Sequence, residues 1–279
     1  MTRKAPAHAG SSRQVPRAGS ARSVPLAIDA VADMAQVRPT FDLTRVWIFD
    51  LDNTLYPAEC NLFAEVDTRM GEFIAKYLGV PFAHARHLQK SYYRQFGTTL
   101  SGMMRVHKMD PGEFLAYVHD IDLSVVKAAP ELRAAIAALP GRKLIYTNGS
   151  RRHAERVAEK LGILDLFEDI CDIIACEYVP KPEADAFDRM VRLHGVAPNE
   201  AAMFEDMPHN LEVPHALGMK TVLVHSSYHD HPIQLEVERW ETLPEHVHHV
   251  TRDLRGFLEG LRGTRGQTHG SDPIVDVAG

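Results

Sequence analysis

Four stretches of this chain place reactive side-chain types directly after, or close to, short apolar runs. Val46-Trp47-Ile48-Phe49 leads into Asp50-Leu51-Asp52-Asn53-Thr54. Two carboxylates two residues apart at the end of a buried strand repel one another, and a divalent cation removes that penalty. Magnesium suits such a place, because it prefers carboxylate and carbonyl oxygen and keeps positions open for water and phosphate. Leu144-Ile145-Tyr146 leads into Thr147-Asn148-Gly149, a hydroxyl followed by a turn whose backbone N–H groups can cradle an anion. Val179-Pro180-Lys181-Pro182 holds a lysine between two prolines; its backbone is restricted, so its ammonium can be aimed. Ala201-Ala202-Met203-Phe204 leads into Glu205-Asp206-Met207-Pro208-His209-Asn210, a second acidic pair able to complete a set of metal oxygens.

Each stretch has a plainer reading by itself: an Asp/Asn turn, an Asn-Gly turn, an exposed loop lysine, acidic capping of the next helix. Order and context decide against four such coincidences. Acid pair, hydroxyl, lysine and acid pair all fall at predicted strand ends, and in an open parallel sheet those ends converge on one edge, where ligands bind.

The elements that must position these groups are legible as alternating patterns. The apolar runs at 46–49, 144–146, 201–204 and 222–224, with Ile173-Ile174-Ala175 as a further candidate, are continuous rather than alternating, as in strands covered on both faces. Between them, Ala154, Val157, Ala158 and Leu161 share a helical face that stops at Gly162, and Phe187, Met190 and Val191 share one that stops at Gly195. Strand and helix in alternation predict an α/β, Rossmann-like, doubly wound parallel sheet. One stretch breaks the rhythm. From 58 to 129 only helical patterns occur, with Leu62, Val66, Met70, Phe73 and Tyr77 at helical spacing. This predicts a helical cap over 58–129 inserted in a core made of 41–57 and 130–262, with Pro130 marking the return. Residues 1–40 and 263–279 read as disordered tails. The first is basic and acid-free up to Ala27, too poor in apolar surface to fold alone, although the same composition also suits a transit peptide.

Hydrophobic residues make up 45% and charged residues 24% of 279, with a net charge of -6, which excludes a general attraction to nucleic acid polymers or anionic membranes. No apolar run is long enough for a membrane span and no secretory signal is visible. Cys60, Cys171 and Cys176 have neither disulfide nor zinc spacing and fit the cytoplasm. Of the sixteen histidines, the groups His225, His229, His231 and His246, His248, His249 read as polar surface rather than as a metal site.

The motifs Asp50-Leu51-Asp52-Asn53-Thr54, Thr147, Lys181 and Glu205-Asp206 resemble those of the haloacid dehalogenase-like phosphatases over about residues 44–225. Asp50-Leu-Asp-Asn-Thr-Leu-Tyr56, followed by Ser91-Tyr-Tyr-Arg-Gln-Phe-Gly97-Thr-Thr-Leu-Ser-Gly102, is similar to the pyrimidine 5′-nucleotidase subgroup. The resemblance implies a Mg2+-dependent phosphomonoesterase for pyrimidine nucleoside 5′-monophosphates, with Asp50 as nucleophile and Asp52 as acid/base. It implies metal ligation by the Asp50 carboxylate, the Asp52 carbonyl and Asp206, with Glu205 in or near the shell. Lys181, Thr147 and backbone N–H groups around Asn148 and Gly149 are expected on the phosphate, and Asn210 on Asp206 or a metal-bound water. Tyr92, Tyr93 and Phe96 are expected to offer stacking surfaces, at least one of the tyrosines serving as helix core, and Arg94, Thr98 and Thr99 to bind base or ribose. Glu205 stands where many members have Asp, and Pro214 falls early in the last motif's helix, where it removes one N–H and is expected to kink the helix. A phosphatase for sugar phosphates or phosphoglycolate, and a non-catalytic binding protein on the same fold, are the competing readings. Base preference and oligomeric state are not fixed by these residues.

Overall fold

All four residues of β1 (Val46–Phe49) are buried, as a central strand demands. The computed structural model describes residues 40–226 and 232–265. The N-terminal tail, most of the C-terminal one, and His229 and His231 lie outside the described residues. β1 pairs in parallel with β2 (Arg142–Tyr146) on one side and β4 (Ala201–Glu205) on the other. With β3 (Asp169–Cys171), β5 (Lys220–Val224) and β6 (His249–Thr251), the order is β3-β2-β1-β4-β5-β6. The chain reverses its direction of travel across the sheet between β1 and β4, so the switch point lies beside Asp50. Trp47 and Phe49 join one apolar cluster, Val46 and Ile48 another on the opposite face. That two-sided cover is the reason the strand reads as an unbroken apolar run.

Between β1 and β2 lie only helices: α1 (Leu62–Leu78), α2 (Phe82–Phe96), α3 (Thr99–His107), α4 (Pro111–Val118) and α5 (Pro130–Ala137), besides a short 3-10 turn at Ala58–Cys60. α1 ends at Gly79 in the left-handed conformation, where a glycine carries no steric penalty. Thr98 caps α3 by accepting from the Ser101 N–H, and Asp110 caps α4 by accepting from Gly112. α2 and α3 cross closely at Gly102, where a Cβ would stand 2.3 Å from Tyr92 Cβ. After β2 come α6 (Arg151–Leu161) and α7 (Ala184–His194), ending at Gly162 and Gly195 as their sequence patterns predict. α8 (Glu212–Ala216), α9 (Pro232–Val237) and α10 (Leu254–Arg265) complete the chain. Among the described residues no helix is long and apolar enough to cross a membrane.

Four sequence expectations need correction. Ile173-Ile174-Ala175 is not a strand; the strand is Asp169–Cys171. Asp172 accepts from Arg151 N and Ala175 N and turns the chain, so this apolar run is a corner that buries Ile173 but leaves Ile174 48% exposed; a short apolar run does not by itself specify a strand. Of the histidines read as polar surface, His225 is 1% exposed, His249 belongs to β6, and His248 is half-buried, its Nδ1 bonding the Thr221 hydroxyl at 2.8 Å. Pro214 kinks nothing, because α8 begins only at Glu212 and a first-turn residue needs no intrahelical N–H bond. Residues 263–265, read as tail, continue α10.

Candidate active site

The strand register decides which side chains meet. Phe49 stands level with Ile145 and with Phe204, so Asp50, Thr147 and Glu205 emerge together at the carboxyl edge of the sheet. Asn53, at φ 60°, takes the left-handed turn that carries the chain away from that edge; asparagine tolerates this conformation better than most residues.

Lys181 reaches this edge from the loop after β3, not from a strand end. It is 2% exposed. Its ammonium donates to Asp50 Oδ1 at 2.6 Å, Glu205 Oε1 at 2.7 Å and the Tyr146 carbonyl at 2.9 Å, which engages all three of its N–H bonds. Burial alone lowers its pKa, but Asp50 and Glu205 outweigh burial and raise it. Asn148 clamps the lysine's backbone from both sides, its Oδ1 accepting from Lys181 N and its Nδ2 donating to Lys181 O. The Asn148 side chain is thus structural. Gly149 N donates to Thr147 Oγ1 at 2.9 Å, which takes that amide out of anion binding and leaves the threonine O–H to donate elsewhere.

Glu205 is tied as firmly. Its Oε1 accepts from Lys181 and from Asn210 Nδ2 at 2.6 Å, its Oε2 from Met207 N at 2.8 Å. Asn210 Nδ2 therefore holds Glu205 rather than Asp206, one of the two partners expected for it, while its Oδ1 has no partner among the described residues. Burial raises the Glu205 pKa, but Lys181 prevails and the net shift is downward. Asp50 and Asp206 behave in the opposite way. Burial, only partly offset by Lys181, pushes Asp50 up to about 7. Burial, then the charges of Glu205 and Asp50, hold Asp206 well above the carboxylate range. Ligand oxygens of Asp50, Glu205 and Asp206 lie within 4.8 Å of one another. Three buried carboxylates against one ammonium leave an excess of negative charge, and an all-oxygen donor set of this kind fits a hard divalent cation.

Asp52 sits beside the cluster with a surrounding of its own. Its Oδ1 accepts from Tyr56 OH at 2.7 Å and lies 3.0 Å from His153 Nε2. Burial raises its pKa, yet His153 and then Tyr56 prevail and the carboxyl is held low. His119, at the end of α4, stacks on His153 with centroids 4.4 Å apart, and its Nδ1 bonds Ser150 Oγ at 2.9 Å. Burial, then the neighbouring His153, drives the His119 pKa down to about 3.

A cavity of about 720 Å³ opens from this cluster into the helical region. Asp50, Asp52, Thr147, Asn148, Gly149, Lys181, Glu205 and Asp206 all border it, as do Arg94, Thr98 and Thr99. The two threonines offer it little chemistry. Thr98 caps α3 and donates to Ser101, while Thr99 is buried and donates to the Gln89 carbonyl. Of the three aromatics, Tyr93 alone lines the cavity. Burial, then the charges of Asp206 and Glu205, push its phenol up to about 12. Tyr92 turns away to bond His107 at 2.6 Å, and Phe96 packs on Tyr92. Sequence reasoning gave no role to Tyr56, His119, His153 or the Asp67–Gln89 pair, which also lines the cavity. One signal was available: His153 interrupts the apolar face of α6 next to Ala154, at the position nearest a strand-end motif.

A family model described as haloacid dehalogenase-like hydrolase matches residues 44–218. Phosphate metabolism protein 8 of Saccharomyces cerevisiae is 28% identical over 197 residues, 64% of this chain and 61% of the yeast protein; the chain thus spans about three fifths of that relative's length. Among solved structures, a HAD phosphatase from Thermococcus onnurineus superposes with a TM-score of 0.51 at 17% identity, covering 80% of this chain and 98% of the other. An L-2-haloacid dehalogenase from Xanthobacter autotrophicus gives 0.49 at 15% identity, covering 79% and 99%.

Proposed function

Since this chain belongs to the haloacid dehalogenase-like hydrolases, we propose that it is a phosphatase, a magnesium-dependent phosphomonoesterase acting on pyrimidine nucleoside 5′-monophosphates. The observation that carries this reading is the buried cluster in which Lys181 bridges Asp50 and Glu205 beside Asp206, with Asp52 at the same cavity.

In this reading Asp50 attacks the substrate phosphorus in line. A new bond forms between its carboxylate oxygen and phosphorus while the ester P–O bond breaks. Asp52 gives its proton to the departing 5′-oxygen, then removes one from the water that attacks the aspartyl-phosphate; inorganic phosphate leaves and the Asp50 carboxylate is restored. Asp52 is held low in the absence of substrate, and a phosphate dianion beside it raises its proton affinity. Asp50, Asp206 and the Asp52 carbonyl would hold magnesium, with Glu205 behind them because its oxygens already serve Lys181, Asn210 and Met207. When bound, the ion supplies charge stabilisation at the phosphoryl oxygens. Lys181 acts through its charge and by fixing Asp50, since its donors are engaged. The Thr147 hydroxyl and the Asn148 main-chain N–H, which has no bond among the described residues, face the remaining phosphate oxygens.

Residues 41–57 and 130–262 act as the catalytic core and 58–129 as the cap that selects the substrate. The cavity's volume lies within the usual range for small-molecule sites. Its helical wall is largely apolar, with Phe63, Val66, Met70 and Phe114, which suits the flat face of a base better than a hydroxyl-rich sugar phosphate. The three free thiols suit a reducing compartment such as the cytoplasm. A phosphate-release screen over nucleoside monophosphates, sugar phosphates and phosphoglycolate, with magnesium or with chelator, tests the reading. Turnover confined to UMP and CMP with magnesium is expected. Sugar phosphates turned over far faster than UMP and CMP would overturn the substrate assignment.

A further inference from the structure

Asp52 Oδ1, beside the cluster, is met by a phenol and an imidazole at once. Tyr56 OH approaches at 2.7 Å and His153 Nε2 at 3.0 Å. The His153 side chain is wholly buried, and its Nδ1 has no hydrogen-bond partner among the described residues. A proton on Nδ1 would be buried without an acceptor and would leave a bare Nε2 lone pair against the carboxylate. The neutral ring therefore carries its proton on Nε2 and donates it to Asp52. Stacking of His119 on the same ring closes that face, and Ser150 holds His119 in turn.

The consequence concerns which oxygen of Asp52 can carry a proton. Oδ1 already accepts two hydrogen bonds, which fills both of its lone-pair directions. A proton taken up by Asp52 then resides on Oδ2, the oxygen with no bond to the described residues. We propose that Tyr56 and His153 are positioning residues that confine the Asp52 proton to Oδ2 and fix the rotation of its carboxyl group, so that the proton is delivered to the leaving oxygen. This rests on the phosphatase reading above and adds to it the residues that orient its acid.

A merely structural role for Tyr56 and His153 would slow every substrate alike, whereas misdirected acid chemistry would not. p-Nitrophenolate leaves phosphorus without protonation; an alkoxide does not. The measurement is kcat/KM, which reports steps up to departure of the leaving group, for p-nitrophenyl phosphate and for the best alkyl monophosphate of the screen. In the Tyr56→Phe/His153→Leu double variant, kcat/KM for the alkyl ester should fall by about a hundredfold, the scale of general-acid catalysis, and for the p-nitrophenyl ester by less than a tenth of that factor. His153→Gln keeps a side-chain N–H and should restore most of the loss against His153→Leu. Tyr56→Phe alone removes one oxygen atom and gives the same selective pattern, in smaller measure, should the double variant not fold. Equal falls for the two esters, or no fall for the alkyl ester, would overturn the proposal. Failure of the phosphatase reading shows itself separately, as no turnover of either ester by the unaltered protein.

Discussion

The sheet edge and the helical wall of the cavity are built on opposite principles. At the edge nearly every charge is tethered: Lys181 by three acceptors, Glu205 through both oxygens, Asp52 through Oδ1. Such groups need no rearrangement when charge develops near them, which is what electrostatic preorganisation requires. The helical wall is mostly shape. Phe63, Val66, Met70 and Phe114 line it, and its principal buried polar group, Gln89, is used up internally between Arg86 and Asp67. Residues at the edge are therefore expected to govern rate, and residues of the wall to govern which molecule fits.

The sharpest way to break this contrast is Asp50→Asn. Turnover should fall at least about a thousandfold, as loss of a nucleophile does, with the circular dichroism spectrum unchanged; undiminished phosphate release would refute the nucleophile assignment. Next comes Lys181→Met, which leaves Asp50 and Glu205 buried without their counter-charge. A loss of about 3–5 kcal/mol is expected in urea unfolding, the penalty of breaking a buried pair from one side. A stability unchanged within error would show that the cluster is not held by this lysine.

The junction between the two regions is sensitive to acid. His119 stays neutral in the fold down to about pH 3 but takes up a proton near pH 6.5 when unfolded. Between those values the unfolded chain binds the extra proton, so stability is full above the unfolded pKa and is lost as pH falls. For this one group the loss between pH 7 and 5 is about 2 kcal/mol. His119→Asn should flatten that part of the stability profile; an acid limb identical to that of the parent would remove His119 as its source. The smallest effect on turnover belongs to the helices that carry the wall, behind the lining residues Thr98, Thr99 and Leu100. Gly102→Ala forces a methyl against Tyr92 and should destabilise by about 1–3 kcal/mol, as overpacking does. It should raise KM more than it lowers kcat, and a change in kcat alone would erase the division of labour between the regions.

The reactive groups were legible because they follow apolar runs that had to be strands. Asp50, Thr147, Glu205 and Asp206 needed only that inference. The stretch Ile173-Ile174-Ala175 misled because three apolar residues in a row fix neither the backbone nor the burial: only Ile173 is buried there, and Ile174 is exposed. The Asn210 side chain was read one residue away from its partner, Glu205, and the clamp of the Asn148 side chain on Lys181 was not read at all. Tyr56 lay within the first motif, yet its bond to Asp52 depends on how the turn after β1 folds back.

By itself the sequence determined the α/β class, the helical insertion and the residue types gathered at one edge. Burial pattern and chain order are local properties, and each strand end carries its side chains wherever the strand goes. Tertiary structure alone decided that His153 and His119, thirty-four residues apart in the chain, stack behind Asp52, that Lys181 spends its donors on Asp50, Glu205 and a carbonyl, and that Tyr93 rather than Tyr92 faces the cavity. Those outcomes depend on distances between segments that no local pattern encodes, because hydrogen bonds act over about 3 Å while the residues that make them here lie up to 131 positions apart.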